Sequence, residues 1–189
     1  MYAVEPDPYC YPDSEVLINL PGLRSAERLA AFELVATTQR ADEPLPAGRL
    51  GARHYCRVHH HLFQDVYSWA GEFRTVRLAK AGSMFCYPEH IPDQMARLFG
   101  FLRGEHFLAG LERDLFIQGL TRFLSELNAI HPFREGNGRS QLTFAALLAY
   151  RAGWEMDLAR LNPDAILLAM IESFHGNEMP LRNELARLV

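Results

Sequence analysis

No run of apolar residues in this sequence approaches the ~20 needed to cross a bilayer, so no membrane-spanning helix is expected. The opening stretch, MYAVEPDPYCYPDSE, lacks the basic-then-apolar order of a secretory leader. Cysteine is scarce: Cys10, Cys56 and Cys86 are odd in number and have neither CxxC nor knuckle spacing. A disulfide framework or structural zinc site is therefore not expected, and a reducing, cytoplasmic setting is. An excess of positive charge is missing too. With 19 Lys and Arg against 23 Asp and Glu, the net charge is −4, which weighs against a broad nucleic-acid-binding face. There is no GxxxxGK[ST] phosphate loop, no internal repeat, no low-complexity tract and no interdomain linker.

What is present is ordinary for one soluble domain with a sizeable core: 189 residues, 49% apolar and 22% charged. Residues 1–13 read as an extended arm anchored by Tyr2, Tyr9 and Tyr11, with a short helical turn over 15–19 stopped by Pro21-Gly22. Ser25 reads as the N-cap of a helix over 26–39, with Leu29, Phe32, Val35 and Ala36 on its apolar face. A second helix is expected over 50–67. Its run His59-His60-His61 invites a metal reading, but consecutive helical residues point about 100° apart and cannot converge on one ion.

Residues 73–79 alternate like a half-buried strand and 84–87 could return as a second, giving the one good hairpin candidate. Such a hairpin is marginal alone and must lie against something. Further helices are expected over 92–103, 111–130, 140–152, 163–173 and 180–188. The expected fold is mainly α, a helical bundle with one hairpin, in one domain over 1–189.

The densest polar stretch is His131 to Arg139, HPFREGNGR, between two apolar helices. Glycines at 136 and 138 permit positive φ and close approach to the backbone, and the free N–H groups opening the next helix form an anion site. Arg139 in that first turn opposes the helix dipole unless something negative joins it, and its fork suits phosphate oxygens. Glu135 could hold a divalent cation bridging two phosphates, and His131 titrates in the range of a general base. These residues point to nucleotidyl or phosphoryl transfer to a hydroxyl. The same residues also read as a plain turn, with Glu135 and Arg139 a surface pair and His131 a helix C-cap.

HPFREGNGR strongly resembles the signature of the Fic (filamentation induced by cAMP) family, HxFx[DE]GNGRxxR. Residues 59–74, HHHLFQDVYSWAGEFR, are similar to the family's helix leading to its flap, and VRLAKAGSMFCYPEHI, 76–91, to the flap hairpin, whose expected span is 73–88. The arm, 1–24, resembles that of the bacterial toxin-type members. The resemblance implies a Fic-type helical bundle and a protein adenylyltransferase, moving AMP from ATP to a Tyr, Ser or Thr hydroxyl of a target protein and releasing pyrophosphate. It implies His131 as the base, Glu135 as the Mg²⁺ ligand, and Gly136, Asn137, Gly138 and Arg139 as the nucleotide-binding nest. Lys80, Gly82, Ser83, Met84, Phe85 and Cys86 would hold the target as an added strand. DNA gyrase and topoisomerase IV are the targets it implies first, and it implies either a small antitoxin partner or no glutamate-based inhibition.

One position departs from the signature: the second arginine falls at Leu142. Losing that charge-assisted contact removes on the order of 1.5–3 kcal/mol. Arg151 or Lys80 could substitute, another nucleotide or phosphate donor could be used, or the chain could be a binding module without transfer activity. The nearest match to the family's inhibitory [ST]xxxE[GN] segment is SWAGEF at 68–73, which ends in Phe; no self-inhibiting glutamate is evident.

Overall fold

The computed structural model describes residues 7–80 and 83–189, with the backbone alone at Lys80 and Ser83. Among these residues there are seven α-helices: α1 (Ala26–Ala41), α2 (Ala52–Phe63), α3 (Ile91–Gly104), α4 (Arg113–Ile130), α5 (Asn137–Ala152), α6 (Pro163–Phe174) and α7 (Met179–Leu188). Helix α4 is the axis of the bundle, packing on α3, α5, α6 and α7. Its apolar residues recur at i, i+3 and i+4, so Phe116, Leu120, Phe123, Leu124 and Leu127 are buried together. Each such side chain contributes about 1.5–3 kcal/mol on leaving water. None of the helices is long and apolar enough to cross a membrane.

Local chemistry sets the helix ends. The Ser25 hydroxyl accepts from the Arg28 N–H, and the Asn162 carbonyl oxygen accepts from Asp164 and Ala165, so both helices start where the caps stand. The apolar face read for α1 is only half right. Leu29 and Ala36 are buried, but Phe32 and Val35 are exposed, and Glu33 and Thr37 are buried in their place. The turn expected over 15–19 is not helical. Asn19 there bonds the Leu17 and Leu23 carbonyls and accepts from the Leu23 N–H, holding an extended arm in a local loop. Cys10 and Leu17 form an isolated bridge within that arm.

The expected strands over 73–79 and 84–87 are mostly not formed. Two residues pair on each side, β1 (Ala79–Lys80) and β2 (Ser83–Met84), in the antiparallel register Ala79↔Met84 and Lys80↔Ser83. Gly82 lies outside the described residues. On both sides of this ladder the backbone also bonds elsewhere: the Arg74 N–H, before β1, donates to the Pro132 carbonyl at 2.9 Å, and the Cys86 N–H, after β2, to Ala129 at 3.1 Å. The Phe85 N–H donates to the Leu78 carbonyl at 3.1 Å, so the segment is stitched to the end of α4 as well as to itself.

Helices α2 and α5 pack together, with the Phe63 end of α2 at the Gly136 end of α5. They therefore run antiparallel, and the polar stretch sits at the end where α2 finishes and α5 begins.

Candidate functional site: the loop between α4 and α5

The nine polar residues form one short connection. Helix α4 ends at His131, whose backbone is left-handed (φ 48°, ψ 62°), and its N–H donates to the Leu127 carbonyl. Helix α5 begins at Asn137, earlier than the expected 140–152, with Gly136 as a left-handed N-cap (φ 80°). Between them Phe133 is fully buried and stacks on His59, ring centroids 3.7 Å apart. The Asn137 side chain clips the loop shut, accepting from the Phe133 N–H at 3.0 Å and donating to its carbonyl at 2.8 Å. Asn137 is thus turned inward, 3% exposed, and only its backbone is placed for a ligand.

The two glycines differ. Gly136 needs positive φ, and a Cβ there would run into the Phe63 ring. At Gly138, exposed on the first turn of α5, a Cβ would meet nothing within 4 Å. Nothing in the chain requires glycine there. A bare backbone at the opening of a helix suits the close approach of an anion.

His59 supports the loop from below. Its Nε2 lies 2.9 Å from the Glu135 carbonyl, and its Nδ1 accepts from the Gly71 N–H at 2.9 Å. That pairing requires the neutral ring protonated on Nε2. Burial pushes the His59 pKa down to about 3, opposed by its bond to the Glu135 carbonyl. The consequence for stability has a definite sign. An unfolded chain takes up a proton at His59 below about pH 6.5 that the folded chain refuses until about pH 3. Stability from this residue is therefore full above pH 6.5 and falls as pH drops, by at most about 1.4 kcal/mol per pH unit. Denaturant titrations at pH 7, 6 and 5 should show a flatter pH dependence in His59→Gln, which keeps a donor and an acceptor. An unchanged slope would remove His59 as the cause.

Arg139 has company that the sequence did not reveal. Its guanidinium pairs with Glu33 of α1, donates to the Thr37 hydroxyl at 3.3 Å, lies 3.8 Å from Glu135 and covers the Phe63 ring at 4.7 Å. The Tyr67 hydroxyl donates to the same Glu33 carboxylate; burial first, and Glu33 second, push the Tyr67 pKa up. The negative charge balancing Arg139 is thus supplied within the chain, and a phosphate is not needed to explain an arginine in that first turn. Glu33 is a carboxylate on Arg139 that the apolar periodicity of α1 hid.

Glu135 is 46% exposed at its side chain, with one oxygen accepting from the Gly136 N–H at 2.8 Å. Among the described residues no group of three His, Cys, Asp or Glu could hold a metal. Mg²⁺ is commonly held by one or two carboxylates plus phosphate oxygens and water, so a partly exposed carboxylate such as Glu135 fits an ion that arrives with a polyphosphate. Leu142 is partly buried against the core. Arg151 does not replace the missing arginine: it is 14 residues along α5, about 21 Å from Asn137, and lines a cleft of about 830 Å³ at the far end of the helix with Arg49 and Arg103.

On the other side of His131 stands the segment that follows β2. Phe85 stacks on the imidazole at 3.9 Å with the rings 14° from parallel, and Phe174 meets Phe85 edge-on. Met84, Phe85 and Cys86 border a cleft of about 410 Å³ against Glu126, Ala129 and Ile130 of α4. The N-terminal arm reaches the loop as well: Asp7 pairs with Arg134 at 2.8 Å, and Tyr9 packs edge-on against Trp69. Tyr11 anchors the arm through Arg24, while Tyr2 lies outside the described residues.

Residues 49–149, which include α2 and the whole loop, match the Fic/DOC family. The chain belongs to the Fic/DOC family. This Fic chain is 46% identical over 188 residues to the probable protein adenylyltransferase y4lH of Sinorhizobium fredii, covering 99% of the one and 97% of the other. It is 35% identical to the protein adenylyltransferase VbhT of Bartonella schoenbuchensis over 90% of its own length and 36% of that protein. Among solved structures, the N-terminal Fic domain of a VirB-translocated Bep effector protein from Bartonella quintana, with bound ADP, superposes with a TM-score of 0.86. That domain is 26% identical, with 95% of this chain and 93% of that one covered. The mainly helical Fic fold is therefore shared across the chain.

Proposed function

We propose that this Fic protein is a protein adenylyltransferase, moving AMP from ATP to a hydroxyl on a target protein. The observation that carries the reading is the closed 131–139 loop, which sets the His131 imidazole at the end of α4 and the open backbone of Gly138 at the start of α5 within one clipped turn. The name of a relative alike over nearly its whole length points the same way. In this reading His131 takes the proton of the target hydroxyl as its oxygen bonds to the α-phosphorus. The bond from the α-phosphorus to the bridging oxygen breaks, and pyrophosphate leaves. The N–H groups of the first turn of α5 and Arg139 hold phosphate oxygens. Glu135 would hold Mg²⁺, which when bound neutralises charge on the phosphates.

The short β1–β2 ladder supports a docking role for residues 80–86, since an extended target segment can add to such an edge. Incubation with Mg²⁺, a host-cell lysate and ATP labelled at the α-phosphate tests the reading. Label on a protein band is the expected result; label on no protein, at any nucleotide concentration, would end it. A second reading, another nucleotide as donor, is favoured by Leu142 alone, and labelled CTP, GTP and UTP in the same assay separate the two.

The Glu33–Arg139 pair adds a measurable consequence. A triphosphate must share Arg139 with a carboxylate 12% exposed at its side chain. Glu33→Gln keeps the shape and the Tyr67 contact but removes the charge. ATP affinity by calorimetry is expected to rise several-fold, corresponding to about 1 kcal/mol for a partly exposed pair. Weaker binding would mean that Glu33 aims the arginine rather than competing for it.

A further inference from the structure

Arg74 is 2% exposed, and among the described residues it has no carboxylate partner. A buried cation normally needs one. Here backbone carbonyls take that place. Nε donates to His131 at 2.8 Å, Nη1 to Val76 at 2.6 Å, and Nη2 to Cys86 at 2.6 Å and Ile130 at 3.3 Å. Its own N–H donates to Pro132 at 2.9 Å. Val76 and Cys86 lie on the two stems that lead into and out of β1 and β2, while Ile130 and His131 are the last residue of α4 and its left-handed cap.

We infer that Arg74 is the positioning residue for His131, joining the imidazole's backbone to the two stems so that the docking edge and the base move as one body. Two physical facts favour a guanidinium in this role. Its donors lie in one rigid plane and can span four carbonyls, which a single ammonium cannot. Its charge also sits at the C-terminal end of α4, where the last carbonyls carry the negative end of the dipole. Left-handed backbone at a non-glycine residue is uncommon and is held only where its surroundings over-determine it. The bond from Nε to the His131 carbonyl, the Arg74 N–H on Pro132 and the Phe85 ring on the imidazole supply that constraint from the stem side alone. The nucleotide side of the loop is fixed separately, by Asn137 and His59. A target strand laid on the edge would thereby set the base, with no contact to it.

The inference rests on His131 being the base of the proposed transfer, and the test keeps the two apart. Arg74→Lys retains the charge in a group that cannot reach all four carbonyls. It is expected to slow transfer about 100-fold at saturating ATP, the scale of an ångström's misplacement, with ATP affinity within twofold of the original. Combined with His131→Ala it should cost nothing further, because both changes remove one function. The ring proton resonances of His131, assigned by NMR, should also shift in Arg74→Lys. Normal transfer, additive losses in the double variant, a parallel loss of ATP binding, or unmoved His131 resonances would each overturn the inference. If the unaltered protein labels nothing, the functional reading fails by itself, and the resonances still decide whether Arg74 positions the imidazole.

Discussion

His131→Ala is expected to cut transfer of labelled AMP by two to four orders of magnitude, the usual contribution of a general base, and to leave ATP binding nearly intact. The split follows from the geometry. The imidazole stands at the cap of α4 against Phe85, whereas the N–H groups and Arg139 that would hold phosphate belong to α5. Removing the ring therefore touches the reacting hydroxyl and not the nucleotide. One complication is backbone strain, since an alanine at φ 48° is less at ease than the histidine it replaces. His131→Asn is the companion variant, because asparagine tolerates the left-handed region better and still cannot serve as the base. Both should bind ATP with affinity within a few-fold of the parent by calorimetry and both should fail to transfer. Transfer at the parental rate in either variant would take the base role away from His131.

The second large effect contrasts the two glycines. Gly136→Ala forces a Cβ into the Phe63 ring and a left-handed backbone on an alanine. The conformational cost alone is roughly 1–2 kcal/mol, and overpacking adds typically 1–3 kcal/mol. For a domain of this size a lowering of Tm by several degrees and up to about 15 °C is the expected reading in a thermal melt. Gly138→Ala has room, so its Tm should match the parent within a degree or two. Its methyl group would stand where an anion approaches the first turn of α5, and ATP affinity should fall at least tenfold. If Gly138→Ala binds ATP normally, the phosphates do not approach the backbone there. If Gly136→Ala melts like the parent, α2 and α5 are less tightly pressed together than the structure shows.

What could be read in the sequence was what is local. The loop's glycines, its aromatic plug and its acid and base stand within nine residues, so their chemistry could be weighed directly. The helices followed from their apolar spacing, except where a polar residue was buried on purpose. In α1, Phe32 and Val35 fit the periodicity but face outward, because Glu33 and Thr37 occupy the inner face to meet Arg139. Nothing in a 16-residue window signals a partner 106 residues away. Arg74 escaped for a similar reason: read as one basic residue in an alternating strand, it is buried and bonded to backbone carbonyls far along the chain. Its bonds go to the end of α4, and the pairing left for the hairpin is two residues on each side. The phosphate argument from Arg139 rested on an unbalanced charge, and Glu33 already balances it.

The pairing of Asp7 with Arg134, of Glu33 with Arg139, and of Arg74 with His131 means that these outside supports of the loop each cross a large part of the chain, while the Asn137 clip is local. On a ribosome, the first 130 residues could emerge and begin to pack without any of the loop present. When the loop does appear, its supports are already waiting, and long-range closure of this kind is slow compared with helix formation. A nascent or broken copy would therefore lack the site altogether rather than carry a weakened one. For a protein that modifies other proteins, an incomplete copy is a silent one.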